Sequence, residues 1–308
     1  MDNFRNAVTN PFDLSDVSAY ARWRDAKLAS APRTLEALVV EVRDPRCLTK
    51  AERLAILSCC QRANMAIYAG PDLGEDRTVP RLLGEQLGLL RFDHNPGADE
   101  DDITALQVAS HDNTRTDFIP YTNRPLHWHT DGYYNPPERQ IHSLLLHCVR
   151  SAQIGGGNAL LDHELAYLLL REEDPALVAA LSAPDAMTIP AYVQEGQEIR
   201  AASVGPVFSV SKCGHLHLRY TARTRHVVWR GDPVMSGDSA TVTTQAAIAA
   251  LVRILNTTPY VLRGTLAPGQ GLVANNVLHD RTGFTDDPEN PRLLYRARYY
   301  DRITEHLP

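Results

Sequence analysis

The sequence predicts a mainly β protein with flanking helices, built on a double-stranded β-helix (jelly roll) core. Two observations support this fold class. Many short strand-like segments follow one another from residue 103 onward, and turn residues separate them. A cluster of potential metal ligands ends one of these segments, while helical patterns stand on either side of the strand-rich region. Short strands around a ligand-bearing core are typical of a jelly roll with helices packed outside.

The composition is that of an ordinary globular protein. The chain has 308 residues, of which 44% are hydrophobic and 22% charged, enough for a sizeable core. The net charge of −6, with no Lys/Arg-rich block, argues against a nucleic-acid partner. No apolar run approaches the ~18–20 residues that span a membrane, and the N-terminus lacks a signal-peptide pattern. Five cysteines without a CxxC motif favour a reducing, cytoplasmic location.

We expect one domain over residues 1–308, in which residues 1–100 form a mostly helical support. A helix is predicted over residues 48–65, where Thr49 and Glu52 have the spacing of a capping box. A short buried strand follows at 65–70, and a second helix at 78–90. The acidic stretch 97–102 is expected to be a solvated loop.

Residues 101–308 are expected to form the jelly-roll core, with a helical insertion at about 160–260. Helices are predicted at 164–170 and 175–181, and Asp238 or Ser239 is expected to cap a third helix that runs to about Asn256. The pattern favours a hairpin between 207–211 and 215–220. The other predicted strands are 103–110, 117–122, 126–134, 141–151, 271–278 and 292–299.

The stretch LHWHTDGYY at residues 126–134 contains the first candidate metal ligands. Successive side chains of a strand alternate between faces, so His129 and Asp131 point the same way. Two histidines and a carboxylate form the facial triad that binds non-haem Fe(II) and leaves coordination positions open. His279, in NNVLHDRTGF, supplies the distant histidine. The sequence therefore predicts an iron site.

An arginine thirteen residues after His279 completes the pattern. A 2-oxo acid can chelate the iron through its keto and carboxylate oxygens, and Arg292 can take the far carboxylate in a bidentate pair. Arg296 lies four residues further along the same strand and is expected to share the inward face of Arg292.

Two segments carry a family resemblance, HWHTDGYYNPPERQIHSLLLHCVRSAQIGGGNALLD and NNVLHDRTGF…PRLLYRARYYD. They resemble the iron- and 2-oxoglutarate-dependent oxygenases of the taurine dioxygenase and γ-butyrobetaine hydroxylase superfamily, over roughly residues 100–300. The butyrobetaine branch is the more similar in sequence, because its HTD motif also leads into a tyrosine-containing segment and an LHC strand before a GG turn. The resemblance implies Fe(II), 2-oxoglutarate and O2 as cofactors. It also implies hydroxylation of an unactivated C–H bond, with release of succinate and CO2.

The resemblance assigns roles to matching positions. His129, Asp131 and His279 would bind iron, Arg292 would bind the far carboxylate of 2-oxoglutarate, and Asn158 of GGGN would hydrogen-bond the same co-substrate. Relatives that halogenate lack the ligand carboxylate, so its presence here favours hydroxylation. The family often has an acidic residue at the third position of the GGGN turn, where this chain has a glycine.

The substrate is expected to be a small polar molecule with a carboxylate, including zwitterionic amines or betaines. The candidate substrate residues are Arg296, Tyr133, Tyr134 and His127. Further aromatic residues suggest a cage for a quaternary ammonium, namely Trp128, Tyr192, Tyr220 and Trp229. By analogy with relatives, the protein is expected to form a dimer or tetramer.

Two alternatives remain at this point. His127, His129 and Asp131 also match the first three ligands of the HxHxDH motif of binuclear zinc hydrolases, although Gly132 stands where the last histidine belongs. A cupin-like protein that binds a metal or small molecule without turnover is the other alternative. Dependence of turnover on 2-oxoglutarate separates the three interpretations.

Overall fold

Two β-sheets face each other across a shared apolar core, and α-helices cover their outer surfaces. The computed structural model describes residues 10–94, 101–109, 118–223, 227–231, 234–236 and 240–304. The α-helices over these residues are α1 (Val17–Ser30), α2 (Lys50–Ala63), α3 (Val79–Gln86), α4 (His163–Glu173), α5 (Pro175–Leu181) and α6 (Thr244–Thr257). The strands are β1 (Val39–Glu41), β2 (Met65–Ala69), β3 (Thr104–Leu106), β4 (Leu126–His129), β5 (Ser143–Arg150), β6 (Ile154–Gly155), β7 (Asn158–Leu161), β8 (Met187–Ile189), β9 (Tyr192–Gln194), β10 (Gln197–Arg200), β11 (Ser203–Gly205), β12 (Phe208–Val210), β13 (Leu216–Leu218), β14 (Val228–Trp229), β15 (Val234–Ser236), β16 (Ala240–Val242), β17 (Leu262–Gly264), β18 (Gln270–Ala274), β19 (Leu278–Arg281), β20 (Phe284–Thr285) and β21 (Leu293–Tyr299).

The larger sheet has the strand order β1-β2-β18-β5-β21-β3. β1 and β2 run parallel, and the other neighbouring strands run antiparallel. Alternation along each strand gives the sheet two apolar faces. In β5, Leu145 and Val149 pack in a cluster with residues of α2 and α3, whereas Leu144, Leu146 and Cys148 face the second sheet.

The smaller sheet has the order β17-β7-β19-β4. Leu160 and Leu262 join the core shared with the larger sheet, while Leu161 and Leu278 pack on the other side among α4, α5 and α6. Each fully buried leucine contributes about 1.5–3 kcal/mol. Packing on both faces therefore fixes β4 and β19, the two strands that carry the histidines of the predicted iron site.

The N-terminal helix prediction is confirmed in detail. α2 lies within residues 48–65, and its capping box is formed. The Thr49 hydroxyl accepts from the Glu52 N–H at 3.3 Å, and the Glu52 carboxylate accepts from the Thr49 N–H at 2.6 Å. The N-terminal region also contributes β1 and β2 to the larger sheet, in addition to three helices.

Other predictions are confirmed or corrected. α4, α5 and the β12–β13 hairpin confirm the predicted elements of the insertion. The predicted start of α6 is wrong, because the Thr243 hydroxyl caps this helix by accepting from the Ala246 N–H; Asp238 and Ser239 lie outside the described residues. The strand predicted at 117–122 is replaced by a 3-10 turn, Ile119–Tyr121, whose central Pro120 cannot donate to a ladder. Most of the acidic stretch 97–102 also lies outside the described residues. No described helix is both long and apolar enough to cross a bilayer.

Candidate metal centre

Three potential metal ligands meet at the edge of the smaller sheet. His129 ends β4, His279 lies in β19, and the two are directly opposite in the antiparallel register. Their side chains share a face, and the ring centroids are 4.2 Å apart. Asp131 follows β4 by two residues, and one ligand atom from each of the three side chains lies within 4.8 Å of the others. The structure thus brings together the three residues that the sequence predicted as ligands.

Both imidazoles are held in the tautomer that a metal ligand needs. Nδ1 of His129 lies 2.9 Å from the carbonyl oxygen of His127, and Nδ1 of His279 lies 2.9 Å from that of Val277. Because a carbonyl oxygen only accepts, the proton is on Nδ1 and the Nε2 lone pair stays available. Burial and the neighbouring His129 lower the pKa of His279 from 6.5 to about 4, so this ring is neutral at physiological pH.

Asp131 brings a carboxylate charge into the protein interior. The residue is 6% exposed, and within the described structure its Oδ2 has no hydrogen-bond partner, although Nη1 of Arg296 lies 3.3 Å away. Burial alone would raise the pKa of Asp131, but Arg296, His129 and Arg298 outweigh burial and hold this pKa well below its usual range. A charged oxygen without a hydrogen bond, beside two free Nε2 atoms, fits a divalent cation. Three protein ligands on one face leave other positions open, as non-haem Fe(II) requires.

Asn276 fixes the main chain of Asp131 and was not singled out in the sequence. Its Oδ1 accepts from the Asp131 N–H at 2.8 Å, and its Nδ2 donates to the carbonyls of Asp131 at 2.9 Å and Ile141 at 2.6 Å. Asn276 is buried and has a φ of 48°, a left-handed conformation that asparagine tolerates better than most residues. The Asn-Asn pair just before the His279 strand was the available signal.

Gly132 has a conformation that explains why no histidine stands there. Its φ is +67°, and an added Cβ would lie 2.4 Å from Cγ1 of Ile141. The side chain of His127 is exposed and does not belong to the cluster of three ligands. The described residues therefore give no support to the HxHxDH zinc pair considered from the sequence.

Arg292 lies just before β21, beside a small cavity of about 10 Å³. It is 4% exposed, burial lowers its pKa, and no described residue accepts a hydrogen bond from its guanidinium. Asn158 and Gly156 border the same cavity, and Nδ2 of Asn158 donates to the Asp280 carbonyl at 2.7 Å. A Cβ at Gly156, whose φ is +72°, would lie 3.4 Å from Nε of Arg292. A buried guanidinium in this setting suits a carboxylate ligand.

Arg281 fixes the chain segment that leads into β4. Its guanidinium donates to the carbonyls of Pro120 at 3.4 Å and of Thr122 and Arg124 at 2.7 Å each. Three carbonyl acceptors on one buried guanidinium hold this segment in place. His129 is thereby positioned from β19 as well as from β4.

The inner face of β21 carries several charges. Leu294 faces the second sheet and Tyr295 faces the helices, so alternation places Arg292, Arg296 and Arg298 on the inner face, as predicted for the first two. Nη1 of Arg298 donates to the Tyr134 hydroxyl at 2.9 Å. Its Nη2 pairs with the buried Asp93 carboxylate.

The predicted aromatic residues do not gather into one cage. Tyr133 lies edge-on to His129, with ring centroids 6.5 Å apart, and contacts Tyr134 at 5.2 Å. Trp128 and Tyr220 are buried in the helix-side core, and Tyr192 lies on the exposed β9.

Sequence reasoning also missed three arginines near Tyr133 and Tyr134, namely Arg200, Arg219 and Arg223.

Comparison with known proteins identifies close relatives of the sequence. The model of the taurine catabolism dioxygenase TauD, TfdA family matches residues 28–298. A uridine-5'-phosphate dioxygenase from an Amycolatopsis species is 34% identical over 178 residues, which are 56% of this chain and 60% of that enzyme. The chain thus spans about 60% of the length of this curated relative.

Solved structures share the fold at low sequence identity. An asparagine oxygenase in complex with Fe(II), 2S,3S-3-hydroxyasparagine and succinate gives a TM-score of 0.55 at 17% identity, covering 96% of this chain and 86% of that one. The non-haem iron oxygenase OrfP in complex with Fe and α-ketoglutaric acid gives 0.55 at 17% identity, covering 84% and 82%. The similarity extends over most of the chain.

Proposed function

We propose that this chain, which belongs to the taurine catabolism dioxygenase TauD, TfdA family, is an Fe(II)- and 2-oxoglutarate-dependent dioxygenase that hydroxylates a small anionic molecule. The observation that carries the proposal is the buried group of His129, Asp131 and His279, accompanied by the buried Arg292, whose guanidinium has no hydrogen-bond acceptor among the described residues. The structural neighbours that hold iron, α-ketoglutaric acid or succinate support the same cofactors.

The two facing sheets are proposed to form a double-stranded β-helix. Their shared core and the likeness to solved iron oxygenases support this assignment. In such a core the metal ligands lie between rigid strands, which preserves their geometry before the ion binds. All five cysteines are free, which supports the expected cytoplasmic location.

His129, Asp131 and His279 would hold Fe(II) through the two Nε2 atoms and one carboxylate oxygen. The bound ion supplies the activation of O2 that C–H hydroxylation needs. The protein's own contribution is positioning: carbonyl groups fix both ring tautomers, and Asn276 fixes the main chain of Asp131. Arg296, 3.3 Å from the carboxylate, keeps Asp131 ionised.

Arg292 and Asn158 are proposed to bind 2-oxoglutarate. The Arg292 guanidinium can form two parallel hydrogen bonds with the far carboxylate, and burial in a small cavity strengthens such a pair. Asn158 borders the same cavity, which supports its predicted contact with the co-substrate. In this proposal the oxo acid would be held at both ends, one at the metal and one at Arg292.

The charges around the metal support an anionic substrate. The guanidinium carbons of Arg200 and Arg298 lie 5.3 Å and 6.0 Å from the centroid of the Tyr134 ring. A quaternary ammonium at this ring would meet like charge, so the betaine cage is not favoured. We propose that Tyr133 and Tyr134 border the substrate and that Arg296 approaches it from the metal side. The exposed His127 is proposed to contact substrate at the entrance.

A turnover assay tests the proposal. The protein is reconstituted with Fe(II) and given 2-oxoglutarate and O2, and succinate is quantified with uridine 5'-phosphate, uridine, asparagine or arginine present. We expect succinate to form only with both Fe(II) and 2-oxoglutarate, and a substrate anion to accelerate it. A binding protein without turnover would form no succinate with any of them, and a zinc hydrolase would act without 2-oxoglutarate.

A further inference from the structure

Three arginines lie around Tyr133 and Tyr134, the two tyrosines that follow the ligand residue Asp131. Arg200 ends β10, Arg219 follows β13 by one residue, and Arg223 lies four residues beyond it. Among the described residues, no carboxylate lies within salt-bridge distance of any of the three, whereas Arg296 and Arg298 are each paired with an aspartate. Over the described part of the chain, positive charge without a paired carboxylate therefore accumulates beside the tyrosines.

Arg219 is a positioning residue in this group. It is 4% exposed, and it donates to the carbonyls of Tyr133 at 2.8 Å, Met187 at 3.1 Å and Ser203 at 2.9 Å. Burial, together with the nearby charge of Arg200, lowers the pKa of Arg219 to about 10. The Arg219 guanidinium donates to main-chain carbonyls, including that of Tyr133. Arg219 therefore holds Tyr133 in place and adds positive charge close to it.

Arg200 and Arg223 have more capacity for a ligand. Arg200 donates to the carbonyls of Tyr134 at 3.3 Å and Pro190 at 3.0 Å, and its Nε and further N–H groups have no acceptor among the described residues. Burial lowers its pKa, and this shift is opposed by Tyr133 and Tyr134. Arg223 is half-buried and lies within hydrogen-bonding reach of the Tyr133 hydroxyl; burial raises the pKa of Tyr133, and the charge of Arg223 opposes this shift.

The distance to the metal ligands suits the far end of a substrate. The Tyr133 ring lies 6.5 Å from the His129 ring at an interplanar angle of 86°. Thr221 pairs with His129 as an isolated β-bridge, and Arg223 is two residues further along the chain. A molecule that places a C–H bond at the metal would thus reach the two arginines across one tyrosine ring.

On this basis we infer that Arg200 and Arg223, with the Tyr133 hydroxyl, form a second anion site that binds the phosphate group of a phosphate monoester substrate. A carboxylate is satisfied by one guanidinium fork. Two guanidiniums that have no carboxylate partner among the described residues, together with a phenol, match a group with about −1.5 to −2 charges and three acceptor oxygens. Arg296 already has Asp131 as its partner and carries less free charge for the substrate. The inference rests on the proposed dioxygenase function and names its substrate class.

Calorimetric titration with inorganic phosphate tests the site. The protein is loaded anaerobically with Fe(II) and saturating 2-oxoglutarate, so that Arg292 is occupied and cannot be the phosphate site. We expect phosphate to bind the wild type, with Arg200→Gln and Arg223→Gln each weakening binding about tenfold or more, because each removes a charged hydrogen-bonding partner. Arg22→Gln, on the exposed face of α1, is the matched control and should bind like the wild type.

Several results would overturn the inference. Phosphate that does not bind the loaded wild type, or that binds both variants as tightly as the Arg22 control, excludes this site. Acetate that binds as tightly as phosphate would show a carboxylate site instead. Arg200→Lys keeps the charge but loses the fork, so its affinity should lie between those of wild type and Arg200→Gln. Binding of 2-oxoglutarate to the iron is followed separately by its visible absorption, so failure of the dioxygenase proposal is distinguishable.

Discussion

Asn276 holds both main-chain polar groups of Asp131: its Oδ1 accepts from the Asp131 N–H at 2.8 Å, and its Nδ2 donates to the Asp131 carbonyl at 2.9 Å. The same Nδ2 also reaches the carbonyl of Ile141 at 2.6 Å. One buried amide thus joins the loop after β4 to the segment before β5. The position of the proposed carboxylate ligand depends on this side chain as well as on the strand that precedes it.

Replacing Asn276 by alanine is expected to weaken Fe(II) binding about 10–100-fold, as loss of outer-shell partners does at other metal sites. The loss of three buried hydrogen bonds should also lower the free energy of unfolding by about 3 kcal/mol. Anaerobic metal titration and urea denaturation measure the two effects. Asn290→Ala, at an exposed position, is the control. Unchanged Fe(II) affinity in Asn276→Ala would refute the positioning role.

Gly132→Ala should lower the free energy of unfolding by more than the cost of placing an alanine at a positive φ. The left-handed backbone costs about 1–2 kcal/mol for a residue with a Cβ. The added Cβ would also lie 2.4 Å from Ile141. Gly196 has a φ of +80° with nothing within 4 Å of its added Cβ, so Gly196→Ala isolates the backbone cost. Urea denaturation of both variants measures the difference, and equal losses would contradict the steric argument.

Arg292→Lys should raise the KM for 2-oxoglutarate about 10–100-fold and leave the KM for the prime substrate nearly unchanged. Lysine keeps the charge but cannot form the two parallel hydrogen bonds of a guanidinium. Steady-state kinetics with each substrate varied in turn measures both constants. An equal rise in the two KM values would show that Arg292 does not act on the co-substrate.

Acid should destabilise the protein as pH falls from about 6.5 to about 4. Burial lowers the pKa of His147 and His163 from 6.5 to about 4, so the unfolded chain binds more protons in this interval. Stability is therefore full above pH 6.5 and falls as pH decreases. His163→Gln should reduce the slope of the unfolding free energy with pH by up to about 1.4 kcal/mol per pH unit. Urea denaturation at several pH values measures it, with His127→Gln as an exposed control; equal slopes in His163→Gln and wild type would contradict the prediction.

The sequence was most informative where chemically distinctive residues stand at a fixed local spacing. The HxD pattern and the lone His279 were sufficient to predict which three ligand side chains would meet, since His129 and His279 lie opposite each other on neighbouring strands and Asp131 follows β4 by two residues. The capping box of α2 is likewise a local signal, carried by Thr49 and Glu52.

Other parts of the site depend on contacts between distant segments. Arg200, Arg219 and Arg223 come from β10 and from the chain after β13, and no spacing rule relates these residues to Tyr133. Asn276 acts across 145 residues on Asp131, and the Asn-Asn pair before the His279 strand does not by itself indicate which distant segment it contacts. The start of α6 was misplaced because Asp238, Ser239 and Thr243 are all good N-cap residue types.

Anaerobic titration of the metal-free protein with Fe(II) and then 2-oxoglutarate tests the central claim most directly. We predict a weak visible absorption band near about 500 nm, because the oxo acid chelates iron at the open positions of the triad. Asp131→Ala should abolish the band, and Arg292→Lys should shift its appearance to higher 2-oxoglutarate concentration. Absence of the band in the wild type, together with tight Zn(II) binding, would contradict the dioxygenase account.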